Sequence, residues 1–130
     1  MDSKVPPTFT FNAGRFADCC RHLAFLGVYE LPPENQNIPW PEPRPKENIV
    51  LWQIWPKDLT DNSADALPPI TYGKVPPGFT QKIPAQGEPP PLVEGKIYEV
   101  GGPPIEVSEA YMRFTIRNGE AVRLPIPGRR

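Results

Sequence analysis

Few residues in this chain carry chemistry, and their spacing limits what that chemistry could be. His22 is the single histidine, and Cys20 stands two residues before it. On a strand the two share a face, the beginning of a thiol–imidazole pair. Nucleophilic catalysis also needs a group that orients the base and a site for the oxyanion, and neither is legible here. His22 is therefore expected to be a surface or half-buried histidine, and the chain a non-enzyme. Cys19 and Cys20 are adjacent and match no zinc or C-x-x-C pattern. A disulfide between neighbours would close a strained ring, so they read as two thiols on opposite faces of a strand, with a vicinal disulfide or an intermolecular bridge as the alternatives. Asp58, Asp61, Asn62 and Asp65 crowd one polar loop, but the central Gly and terminal Glu of a calcium loop are missing. Neither a metal nor a cofactor is expected. Tyr72-Gly73-Lys74-Val75-Pro76-Pro77-Gly78 holds glycines and a lysine without phosphate-loop spacing, and its prolines remove N–H groups a phosphate would need.

What remains is aromatic. Trp40, Trp52, Trp55 and Tyr72 are the candidate binding residues. Aromatic side chains at a surface anchor protein interfaces, and a flat tryptophan can also serve as a stacking platform for a sugar. Trp40 sits in Pro39-Trp40-Pro41-Glu42-Pro43-Arg44-Pro45, an extended, polyproline-like path. SH3-type grooves read prolines three apart, and no two prolines here have that spacing. An ordered loop with Trp40 packed on the body is expected instead.

The elements that would position these residues are strands. The organising stretch is Ile70 to Val100, where short apolar pieces alternate with Pro and Gly. Proline fixes φ and denies the ladder an N–H, so it belongs at strand ends, edges and turns. Thr8-Phe9-Thr10-Phe11 alternates as a first strand. Leu23 to Leu31 reads as a largely buried strand with Gly27 as a bulge, ended by Pro32-Pro33. Ile49 to Trp55 is apolar on both faces and suits a central position covered on both sides, or an end strand near an aromatic cap. Met112 to Ile116 alternates and runs into Asn118-Gly119. For that hairpin a three-residue loop pairs Ile116 with Glu120 and Phe114 with Val122, keeping one face apolar, so this register is expected. Any helix would be short and lie between Gly14 and Arg21.

Length and composition bound the class. The chain has 130 residues, enough for one domain with its own core. Its 21 prolines displace other types, yet three Trp, four Tyr and six Phe argue for a packed interior. The expected fold is a single all-β domain over 1–130, a two-sheet β-sandwich of immunoglobulin or fibronectin type. It should have about seven to nine short strands and Pro-rich loops, with flexible ends at 1–7 and 126–130. A formal net charge of −1 leaves no basic excess for phosphates, so nucleic acid is not an expected partner. No apolar run approaches the roughly 20 residues of a membrane span, and no signal peptide is read.

Tyr72-Gly73-Lys74-Val75-Pro76-Pro77-Gly78-Phe79, Gly87-Glu88-Pro89-Pro90-Pro91-Leu92 and Glu94-Gly95-Lys96-Ile97-Tyr98 carry a resemblance. Over about residues 49 to 124 the chain resembles small bacterial envelope proteins, many of them lipoproteins. The resemblance implies a compact β domain in the periplasm or cell envelope, without enzymatic activity, and it assigns no functional residues. It also implies a membrane link only through an N-terminal lipid anchor, with Met1 standing where a lipidated Cys would be. The expected function is therefore that of a non-enzymatic envelope protein that binds another protein, an immunity or inhibitor role being one version. The alternative is a carbohydrate- or peptidoglycan-binding module using Trp40, Trp52 or Trp55; a small hydrolase ranks third.

Overall fold

The computed structural model describes residues 5–9, 25–38, 45–57, 69–101 and 112–127. Trp40, Cys19, Cys20, His22, the Asp58–Asp65 loop, the segment 14–21 and most of both ends expected to be flexible lie outside them. Among the described residues eight strands are formed: β1 (Thr8–Phe9), β2 (Leu26–Glu30), β3 (Ile49–Pro56), β4 (Ile70–Thr71), β5 (Phe79–Ile83), β6 (Ile97–Gly101), β7 (Met112–Arg117) and β8 (Glu120–Leu124). Pairing is antiparallel throughout, in a six-stranded sheet of order β5-β3-β2-β6-β7-β8 and a two-stranded sheet of β1 and β4. The fold is all-β with two sheets, as the alternation and the proline punctuation indicate.

The sheets are held by one apolar cluster. Val28, Trp52, Val100 and Met112 lie in register across β2, β3, β6 and β7, and so share a face. Leu26, Ile54, Tyr98, Phe114 and Ile116 join them, beneath Phe9, Ile70 and Tyr72 of the small sheet and its exit. Phe9 meets Phe114 with centroids 5.7 Å apart, and Phe114 stacks on Tyr98 at 5.4 Å. The central position expected for Ile49–Trp55 is realised, since β3 lies between β5 and β2.

Two local readings are corrected. Gly27 is not the bulge; the register shift falls between Val28 and Tyr29, opposite Leu51. Gly27 is needed for another reason: the Tyr29 ring lies over it, and a Cβ would collide with that ring. The hairpin register also differs. Arg117 pairs with Glu120 and Phe114 with Arg123, across a two-residue loop with φ of 53° at Asn118 and 77° at Gly119. Two positive φ values make this a type I′ turn, whose twist suits the strands. The faces do not need separating as expected, because β7 is buried on both sides from Met112 to Ile116.

On the second face of the large sheet the β6–β7 region is buried as well. Arg113 is 3% exposed and Glu99 1%, and they form an ion pair across β7 and β6 at 2.9 Å. Arg113 Nη1 also donates to the Gln36 carbonyl at 2.7 Å, and Asn48 Nδ2 donates to Glu99 at 3.4 Å. Fully buried Asn35, ending the 3-10 turn Pro33–Asn35, donates to the Lys46 carbonyl and to Asn48 Oδ1. The polar groups thus tie residues 32–38 and 45–48 onto the sheet, with their hydrogen-bonding needs met.

Candidate functional site

Tyr72 follows β4 and sits at i+1 of the turn Thr71–Lys74, closed by the Lys74 N–H to the Thr71 carbonyl at 2.9 Å. Position i+2 is Gly73 at φ +84°, the left-handed conformation this turn demands and L side chains rarely adopt. The turn aims Tyr72 inward. Its ring packs edge-on against Trp52 at 5.7 Å, and its hydroxyl donates to the Pro90 carbonyl at 2.6 Å.

That bond is one of a set that holds the proline-rich segment 84–93. Prolines supply carbonyl acceptors but no N–H, so the segment cannot join a ladder and must be fixed by side chains. Gln81 Nε2 donates to the carbonyls of both Pro84 and Gly87 at 2.9 Å. Gln81 Oε1 accepts the Trp52 indole N–H at 2.9 Å, which satisfies a donor with no exposed surface. Further on, the Tyr98 hydroxyl accepts the Val93 N–H at 2.7 Å. Trp52 therefore stands behind two arms, one through Gln81 and one through Tyr72.

Between this segment and the N-terminal stretch lies an open groove of about 450 Å³. Tyr72 and Gly73 form its floor; Val5 and Pro6 make one wall, and Pro89, Pro91 and Leu92 the other. Lys74 and Glu88 stand at its rim, both exposed. Burial, with a smaller contribution from nearby Tyr98, pushes the Tyr72 hydroxyl well above the ordinary tyrosine range. It is a neutral donor, suited to shaping the floor rather than to moving protons.

The other aromatic candidates are placed differently. Trp52 is entirely inside the core. Trp55 is half-buried on the opposite face of the sheet, stacked on Phe25 at 4.9 Å, with its indole N–H given to Gln53. Trp52 and Tyr72 are brought together; Trp55 is not. Gln81 was not among the sequence candidates. The signal for it was a polar residue at an inward position of Phe79-Thr80-Gln81-Lys82-Ile83, in step with Phe79.

Among the described residues no group of three His, Cys, Asp or Glu side chains is placed to hold a metal ion, and no helix is long and apolar enough to cross a membrane. No protein-family model matches the chain, and neither does any curated protein or solved structure.

Proposed function

We propose that this chain is a non-enzymatic protein-binding domain of the bacterial cell envelope, and that the Tyr72 groove receives a short extended apolar segment of its partner. An immunity or inhibitor role is one version. The observation that carries the reading is a groove whose walls are set before binding. Pro6, Pro89 and Pro91 have fixed φ, and the Tyr72 ring is held at both ends, by Trp52 behind it and Pro90 at its hydroxyl. Little side-chain freedom is left to lose, so apolar contact there converts to affinity efficiently. The groove supplies the central anchor, and the surrounding surface would complete the roughly 800 Å² per partner of a standard interface. The envelope location rests on the resemblance of residues 49 to 124.

Pro91→Asp and Lys74→Glu test the reading, since both are exposed residues that line the groove and neither belongs to the core. Affinity capture from an envelope fraction should yield a stoichiometric protein with the native chain. Both variants should lose it at unchanged melting temperature. Capture that survives both substitutions sinks the groove as the binding site.

The sugar-binding alternative ranks second. Trp52 has no accessible face, and Phe25 already covers one face of Trp55. Titration with peptidoglycan fragments, followed by tryptophan fluorescence in native and Trp55→Ala chains, would promote it if a saturable shift vanished in the variant.

A further inference from the structure

We propose that Asn118 is a deamidation site, and that its conversion loosens the β8 edge of the sheet. The reaction is attack by the backbone nitrogen of the following residue on the asparagine side-chain carbonyl carbon. The new N–C bond closes a succinimide, and the side-chain amide leaves as ammonia, taking up the proton the backbone nitrogen gives up. Water then opens the ring. Opening at the side-chain carbonyl gives aspartate; opening at the main-chain carbonyl gives isoaspartate, with one extra carbon in the backbone.

Three features of the turn favour the first step. Gly119 follows Asn118, and nothing lies within 4 Å of where its Cβ would be, so no side chain shields the attacking nitrogen. Both residues are exposed, which admits the water that completes the reaction. The Gly119 N–H is not among the hydrogen bonds that hold the turn. Those are the Asn118 N–H to Glu94 Oε1 at 2.5 Å and the pairing of Arg117 with Glu120. Of the described asparagines, Asn35 offers the opposite case: it is fully buried with its amide committed to Lys46 and Asn48.

The products conflict with the turn in two distinct ways. Aspartate sets a second carboxylate beside Glu94, which holds the residue's own N–H. Isoaspartate lengthens a loop whose two residues fix the β7–β8 register. Ala121 and Ile126 are 4% and 9% exposed and depend on that register for their burial.

The full chain is incubated at mildly alkaline pH and followed by peptide mass mapping, with isoaspartate detected by enzymatic methyl labelling. Asn118 should convert several-fold faster than Asn37, which is also exposed but precedes Ile38. Asn118→Gln should abolish the fast phase. The purified isoaspartyl form should melt below both the native chain and Asn118→Asp, which adds the charge without the extra carbon. Conversion no faster than at Asn37, or an isoaspartyl form that melts like the native chain, overturns the proposal.

Discussion

Gln81 shows how much one side chain can carry when its neighbours lack donors. It is not an apolar residue. Its amide nonetheless accepts the Trp52 indole N–H and donates to two carbonyls of the proline segment. Gln81→Ala should leave the buried indole N–H unsatisfied and release Pro84 and Gly87. The expected loss is about 1–3 kcal/mol, the desolvation cost of an orphaned buried donor, read by urea denaturation. A loss below a few tenths would mean that another group had taken over the indole. The Gln81→Ala, Trp52→Phe double variant should lose less stability than the sum of the two single variants, because the two residues share one bond.

At the scale of elements, the central question is what ties loops to sheet. The Glu99–Arg113 pair spans β6 and β7, and Arg113 reaches on to the Gln36 carbonyl. Arg113→Met keeps much of the apolar stem but leaves the Glu99 carboxylate buried without that cation. Changes of this kind cost about 3–5 kcal/mol. Amide exchange should show the 31–38 segment losing protection before the sheet does; uniform loss everywhere would count against a local tie. This pair also marks where sequence reading stopped. Ile49–Trp55 and Met112–Ile116 were legible as strands because alternation and β-branched content need no partner to be recognised. The hairpin register was not. One apolar face alone favours the three-residue loop, and only the packing reveals that Arg113 is buried on the other face with Glu99. Tyr72 was legible as a candidate, but its groove depends on Pro6 and Leu92, distant in sequence, coming together. Gly27 reads as a bulge in the sequence, whereas its real constraint is the ring of its own strand two residues on, which only the packing reveals.

For the whole molecule, the two core hydroxyls set a pH limit. Burial raises the folded-state pKa of both Tyr72 and Tyr98, for Tyr98 against an opposing hydrogen bond from Val93. In the unfolded chain tyrosine ionises at about 10. Below that pH both states are neutral, and the stabilisation is fully present. Above it the unfolded state loses protons that the folded state keeps, so stability falls as pH rises towards the folded values. The urea midpoint should hold steady up to about pH 9 and then decline. Tyr72→Phe should start lower, having lost the Pro90 bond, and decline less steeply. A midpoint independent of pH up to 11 or so would contradict the burial of these hydroxyls.

The proline segment is fastened by separate side-chain bonds, at Pro84, Gly87, Pro90 and Val93, rather than by a continuous ladder. A strand in a ladder is sheared free all at once, like a zip torn along its length. A strip held by rivets peels, each bond releasing alone. Under tension, or by thermal fluctuation, the wall of the groove can lift at one rivet while the six-stranded sheet behind it stays intact. Its opening is thereby mechanically insulated from the unfolding of the domain.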